Sequence, residues 1–171
     1  MVQVFTRLVL FMLAVMFVST LMVHSAKAEN NYTWYFVRHA EKMPVKDDPE
    51  LSPRGKQRAQ LLAVLLSDGA IEAIYSTPFR RTEQTAAALS SQSGVAIEFY
   101  SAAAPEQLIA NLRKRQQTSL IVGHSNTIPE LVRLAGGTAY DLTEEDYGDI
   151  FVVELRQGVV IGSHQQQVEL P

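Results

Sequence analysis

The chain contains the heptapeptide Tyr35-Phe36-Val37-Arg38-His39-Ala40-Glu41, a short apolar run that ends in an arginine and a histidine. The apolar residues, with Trp34 before them, are typical of a strand buried on both faces of a parallel sheet. Because such sheets bind ligands at the carboxyl ends of their strands, we expect Arg38 and His39 to lie at the mouth of a site. Arginine offers a planar set of donors that matches phosphate oxygens, and neutral histidine offers a nitrogen that attacks or relays protons.

The residues after this strand predict a loop and then an amphipathic helix. Ser52 suits the N-cap and Pro53 the first helical position. Apolar residues follow at helical spacing from Ala59 to Leu66, and we expect Gly69 to close the helix in the left-handed conformation.

Strand and helix patterns then alternate along the chain and end in a hairpin. This alternation over 171 residues predicts one α/β domain with three layers, α/β/α, around a mainly parallel central sheet. The predicted elements are strands at 71–75, 95–100 (near a sheet edge) and 119–123, helices at 80–91, 105–116 and from about 129, and hairpin strands at 150–155 and 159–164.

Basic side chains follow two further predicted strands. Arg80 and Arg81 come after the strand at 71–75, and His124 comes directly after the strand at 119–123. If these strand ends meet at one edge of the sheet, they place an arginine from the 80–81 pair with Arg38, His39 and His124 around one anion. The sequence therefore predicts a phosphate pocket and leaves the choice between Arg80 and Arg81 open.

Three motifs in this order give the chain a family resemblance. Residues 38–40 (Arg-His-Ala), 76–86 (Ser-Thr-Pro-Phe-Arg-Arg-Thr-Glu-Gln-Thr-Ala) and 122–125 (Val-Gly-His-Ser) resemble the histidine phosphatase superfamily, the phosphoglycerate mutase-like group. The family commonly has glycine where this chain has Ala40, which is also small. The family's second motif matches Arg81 rather than Arg80, and the resemblance implies a phosphoglycerate mutase-like fold.

The resemblance also implies roles for individual residues. His39 is expected to be the nucleophile that forms a phosphohistidine, with its other ring nitrogen donating to a backbone carbonyl. Arg38, Arg81 and His124 are expected to hold the phosphoryl oxygens, with Ser125 also binding substrate. Neither a metal nor another cofactor is then required.

The leaving group also needs a proton, which the family usually takes from a carboxylic acid after the second arginine. By position we assign this role to Glu106, at the start of the helix at 105–116. Glu41, beside the nucleophile, and Glu98 are the competing candidates.

Composition narrows the function classes. The chain has no cysteine, which excludes disulfides, thiolate zinc sites and cysteine nucleophiles. Its formal charge of −3 and the lack of a basic block interleaved with aromatics argue against a nucleic-acid partner.

The amino terminus predicts an export signal. Arg7 precedes an apolar run at 8–23, and the Ala-Lys-Ala sequence ending at Ala28 suits signal peptidase. Removing residues 1–28 takes away two basic residues and no acid, so the formal charge goes from −3 to −5. We expect a single mature domain at 29–171 in the periplasm or secreted, without stable membrane association. The alternative is an uncleaved membrane anchor.

The leading hypothesis is a phosphomonoester hydrolase that acts on a small phosphorylated substrate, such as an envelope sugar phosphate. Its alternatives are a phosphomutase of the same fold, a pseudoenzyme that binds phosphate without turnover, and a metal-dependent phosphoesterase using His39, Glu41, His124 and an aspartate. The arginines argue against the metal site, since they would compete with a cation. The sequence leaves the physiological substrate and the oligomeric state open.

Overall fold

A computed structural model describes residues 30–170, so the predicted signal at residues 1–28 lies outside the described residues. Within that range the elements follow the predicted alternation of strands and helices. They are β1 Asn31–Arg38, α1 Pro53–Leu65, β2 Ala73–Ser76, α2 Arg80–Ser93, β3 Ile97–Phe99, α3 Pro105–Arg115, β4 Ser119–Gly123, α4 Ile128–Ala135, β5 Asp149–Arg156 and β6 Val159–Gln167.

The strands form one six-stranded sheet in the order β3-β2-β4-β1-β5-β6. The four strands from β3 to β1 are parallel, and β5 runs antiparallel to both β1 and β6. β3 lies at an edge, as its pattern predicts. β6 is longer than the predicted strand at 159–164, because its last residues pair with the start of β5, where Asp149 faces Gln167.

Hydrophobic side chains bury both faces of the sheet. Successive residues of β1 alternate between the faces, so that Phe36 packs with α3 and α4 while Val37 packs with α1 and α2. Helix residues that complete the two clusters are Leu108, Leu112, Leu131 and Val132 on the first face, and Leu62, Ala63, Ala86 and Leu89 on the second. The predicted three-layer α/β/α fold with a mainly parallel sheet is confirmed.

Helix α1 begins as predicted and ends earlier. Ser52 is extended (φ −67°, ψ 165°), and its hydroxyl accepts from the backbone N–H of Gly55 at 3.1 Å. The helix ends at Leu65, and the left-handed residue beyond it is Ala70 (φ 47°), so the prediction for Gly69 is wrong. Hydrogen bonds from the Ser67 and Gly69 N–H groups to the Val64 and Leu66 carbonyls form a turn after the helix, and the left-handed conformation therefore falls on the next residue, Ala70.

The register of the sheet brings three strand ends side by side. Arg38, the last residue of β1, pairs with Gly123, the last residue of β4, and the backbone N–H of His39 donates to the Gly123 carbonyl at 2.9 Å. On the other side of β4, Ser76 at the end of β2 pairs with Val122. The residues that follow β1, β2 and β4 therefore emerge at one edge of the sheet. Within residues 30–170, no helix is both long and apolar enough to span a bilayer.

Candidate active site

His39, His124 and Arg81 meet at this edge, with Arg38 beside them. The rings of the two histidines lie 5.6 Å apart between centroids, nearly edge to face. An Nη2 donor of Arg81 lies 3.4 Å from Nδ1 of His124. The structure thus brings together the predicted nucleophile and the predicted phosphate-binding residues, which supports their assignment to one pocket.

His39 is held in a single useful tautomer. Its ring is almost fully buried, with only 3% of its surface exposed, and Nδ1 lies 2.8 Å from the Ala40 carbonyl oxygen. A carbonyl only accepts, so Nδ1 carries the proton and Nε2 is left with its lone pair. The expected hydrogen bond to a backbone carbonyl is therefore present, and Nε2 is ready to attack phosphorus.

Burial and charge keep this imidazole neutral. Burial lowers the pKa of His39 to about 3, and the nearby Arg38, Arg81 and His124 act in the same direction against the opposing Ala40 hydrogen bond. The pKa of His124 is lowered to about 4, again mainly by burial and then by Arg81 and Arg38. Neither residue takes up a proton near neutral pH, so Nε2 of His39 stays unprotonated without the help of a separate base.

The depressed pKa values predict a pH-dependent stability. Between pH 6.5 and about 4, the unfolded histidines bind protons that the folded ones do not, so the free energy of unfolding falls as pH falls. Each histidine contributes a loss of about 1.4 kcal/mol per pH unit at most. Urea unfolding from pH 7 to pH 5 measures this slope. We expect a shallower slope for His39→Gln and the wild-type slope for His164→Gln, a histidine on the exposed strand β6; equal slopes for all three proteins would contradict the argument.

His124 is oriented by a chain of buried hydroxyls. Because Arg81 can only donate, Nδ1 of His124 accepts, and Nε2 therefore carries the proton and donates to Thr77 Oγ1 at 3.0 Å. Thr77 Oγ1 in turn lies 2.9 Å from Thr82 Oγ1, which donates to the Phe79 carbonyl at 2.8 Å. Both ring nitrogens are engaged by protein groups, so direct donation from His124 to a phosphate oxygen stays a prediction.

Arg38 is fixed by the loop at 138–148. Its Nη1 donates to the carbonyls of Thr143 at 2.8 Å and Asp146 at 2.9 Å, and its guanidinium lies over the Tyr147 ring, 4.2 Å from the centroid. With these partners the buried guanidinium has a single orientation toward the pocket, at little entropic cost on binding an anion.

At the rim of the pocket, a carboxylate lies close to each of the two arginines. Glu144 Oε2 lies 3.3 Å from Arg38 Nη2, and Asp48 Oδ1 lies 3.8 Å from Arg81 Nη1. Glu144 also accepts from Ser125 Oγ at 2.8 Å and pairs with Lys42 Nζ at 3.5 Å. The rim therefore combines cationic groups with carboxylates, while the floor holds the two neutral histidines.

The geometry separates the two adjacent arginines. Arg80 is about half exposed and pairs with Glu50, whereas the Arg81 side chain is 17% exposed and contacts His124. Residue 80 is the first residue of α2, and its guanidinium pairs with Glu50 at the surface. Arg81 is thus the arginine that belongs to the pocket, in agreement with the family motif.

The three candidate acids lie apart from these contacts. Glu41 pairs with Arg58 at 2.7 Å, and Glu98 pairs with Arg115 at 2.6 Å. Glu106 is exposed in the first turn of α3, and no hydrogen bond or ion pair among residues 30–170 joins it to the pocket. Its role as general acid stays a prediction.

Sequence reasoning did not find three contributors to the pocket, Glu144, Tyr147 and Thr77. Glu144 and Tyr147 belong to an acidic loop whose sequence has no helical or strand periodicity, so the sequence did not indicate that this loop packs against the pocket. Thr77 lies within the second motif, and its position directly after β2 was the available signal. Among the described residues, no cluster of three or more histidine, aspartate or glutamate side chains could hold a metal ion.

Residues 34–103 match the sequence model of the histidine phosphatase superfamily (branch 1), which confirms the resemblance drawn from the three motifs.

Individual relatives agree with this class. Phosphoserine phosphatase 1 of Hydrogenobacter thermophilus is 49% identical over 57 residues, which cover 29% of this chain and 27% of that protein. The match thus spans about a quarter of the curated relative's length.

Two solved structures share the fold. The protein histidine phosphatase SixA, complexed with tungstate, superposes with a TM-score of 0.65 at 18% identity and covers 79% of this chain and 96% of its own. The alpha-ribazole phosphatase from Shigella flexneri superposes with a TM-score of 0.63 at 16% identity, covering 80% and 95%.

Proposed function

We propose that this protein is a phosphomonoester hydrolase that works through a phosphohistidine at His39. One observation carries the proposal: Nε2 of His39 is left unprotonated by the 2.8 Å hydrogen bond from Nδ1 to Ala40, in a pocket with two arginines. A neutral nucleophile beside a cationic clamp is what attack on an anionic phosphoryl group requires. The phosphatase names of the relatives support the same class of reaction.

In the proposed first step, Nε2 of His39 bonds to phosphorus and the ester oxygen leaves with the bonding electrons. Arg38 and Arg81 neutralise the charge on the phosphoryl oxygens, and the hydroxyl chain through Thr77 holds His124 against Arg81. Water then attacks the phosphohistidine, which returns His39 and releases inorganic phosphate. Division into two steps lowers the barrier of each.

We further propose that the reaction needs no metal ion and that the substrate is a small phosphate ester met outside the cytoplasm. The predicted signal at 1–28 supports this location, and an envelope sugar phosphate fits it. Amino-terminal sequencing of the secreted or periplasmic protein tests whether the mature chain begins at Glu29.

An assay on an activated aryl phosphate, with and without excess chelator, tests the metal independence. We expect full turnover in chelator, because the arginines of the pocket already supply the positive charge that a metal ion would provide. The measurement is the initial rate before and after dialysis against chelator. Activity that is lost in chelator and restored by a divalent cation would instead establish a metal-dependent phosphoesterase.

A further inference from the structure

Glu144 is the rim carboxylate with the most contacts to the groups around the phosphate pocket. It lies 3.3 Å from Arg38 and 3.5 Å from Lys42, and it accepts from Ser125 at 2.8 Å. Its side chain is nevertheless 69% exposed. The carboxylate is therefore aimed at the pocket by three partners and remains open to solvent, from which it can regain a proton.

The direction of displacement places the leaving group on the same side as Glu144. In phosphoryl transfer the attacking and leaving atoms lie roughly in line through phosphorus. His39 is 3% exposed and forms the floor, so the leaving oxygen must point outward to the rim. When Arg38 binds a phosphoryl group, its guanidinium pairs with the phosphoryl oxygens instead of Glu144. The Glu144 carboxyl then lies beside the departing oxygen without this ion pair.

Other carboxyl groups are less suited to this position. Asp48 accepts from the backbone N–H of Arg80 at 3.0 Å, at the amino terminus of α2, and so is already engaged by that helix end. No hydrogen bond or ion pair among residues 30–170 joins Glu106 to the pocket, and Glu41 is bound by Arg58 and Arg54.

From this geometry we infer that Glu144 is the general acid of the reaction, an inference that rests on the proposed function. As the bond between phosphorus and the ester oxygen breaks, the Glu144 carboxyl transfers its proton to that oxygen and becomes a carboxylate, so the product leaves as a neutral alcohol. In the second step a water oxygen bonds to phosphorus, its proton passes to the Glu144 carboxylate, and the electron pair of the broken P–N bond returns to Nε2 of His39. Both residues end in their starting states.

Binding of a phosphoryl group changes the charges around Glu144 in the direction that raises its pKa, as the role of general acid requires. The Ser125 hydroxyl, and then Arg38 and Lys42, hold the pKa of Glu144 below its ordinary value. A bound phosphoryl dianion pairs with the same cations and adds negative charge beside the carboxyl, which reverses the shift. Substrate binding thus favours the protonated form that donation requires.

The test compares two esters whose leaving groups differ in their need for a proton. An aryl phosphate with an acidic phenol leaves without assistance, whereas an alkyl phosphate such as glycerol phosphate requires it. For Glu144→Gln we expect kcat/KM on the alkyl ester to fall about 100-fold while kcat/KM on the aryl ester stays within about threefold, because kcat/KM reports the step in which the leaving group departs and not the later hydrolysis of the phosphohistidine. Glu145→Gln makes the same charge change on the same loop and is the matched control, expected to behave as wild type on both esters.

Glu106→Gln is measured in parallel as the competing acid. A loss of kcat/KM confined to the alkyl ester in Glu106→Gln, or equal changes of kcat/KM on both esters in Glu144→Gln, would overturn the inference. The second outcome would mean that Glu144 only competes with phosphate for Arg38. Wild-type turnover of the aryl ester with a phosphohistidine at His39 tests the proposed function separately, so its failure is distinguishable from failure of the role of Glu144.

Discussion

Replacing His39 with alanine is expected to reduce turnover of an activated aryl phosphate by about 10⁴-fold or more, since removal of a nucleophile leaves only binding and charge stabilisation. His39 is the group that attacks phosphorus in the proposed reaction. Its Nδ1 binds the Ala40 carbonyl, and its Nε2 has no hydrogen-bond partner among the described residues. Steady-state kinetics measure the loss. Acid-labile, base-stable label on the wild-type protein after rapid mixing with a phosphate-labelled ester would identify the phosphohistidine.

A second variant separates nucleophilic loss from structural loss. The amide of His39→Asn can still donate to the Ala40 carbonyl, so this variant keeps the hydrogen bond of the wild-type ring and lacks Nε2. We expect it to be as inactive as His39→Ala and to unfold at nearly the wild-type urea concentration. His164→Ala, outside the pocket, should retain activity and label. A labelled, active His39→Asn protein would show that another residue accepts the phosphoryl group.

Much of the pocket follows from the order of residues along the chain. Arg38, Ser76 and Gly123 are last in their strands, and a parallel sheet aligns such ends at one edge. Neither burial nor spacing alone distinguished Arg81 from Arg80. The family motif did so, and the structure gives the reason: Arg81 contacts His124, while Arg80 pairs with Glu50.

The rim was not predictable in the same way. Residues 138–148 have no periodicity, and their path is fixed by long-range bonds, above all from Arg38 to the carbonyls of Thr143 and Asp146. Only that path brings Glu144 beside Ser125 and Lys42. Glu106 is predicted from its position at the start of α3, where it is exposed, while Leu108 and Leu112 turn the apolar face of the helix to the core.

Arg38→Lys and Arg81→Lys are each expected to lower kcat/KM on the aryl ester by about 10²- to 10³-fold, the usual effect of removing a donor that stabilises developing charge. Lysine keeps the positive charge but not the planar pair of donors that matches two phosphoryl oxygens. Kinetics on both variants measure the loss. Arg80→Lys is the matched control one residue away, and we expect its kcat/KM to stay within about twofold of wild type, because Arg80 faces Glu50 at the surface.

The Arg38→Lys and Arg81→Lys proteins should differ in their free energy of unfolding, although we expect similar losses of kcat/KM. Arg38 is itself buried and donates to two backbone carbonyls, at 2.8 Å and 2.9 Å, and its replacement removes a charged donor from both of these part-buried acceptors. We expect Arg38→Lys to lower the free energy of unfolding by about 2 kcal/mol or more. Arg81 has only side-chain partners, so Arg81→Lys should unfold near the wild-type urea concentration. An Arg81→Lys protein with wild-type kcat/KM would remove Arg81 from the clamp, and an equal loss in Arg80→Lys would show that charge near α2, rather than the paired donors, supports catalysis.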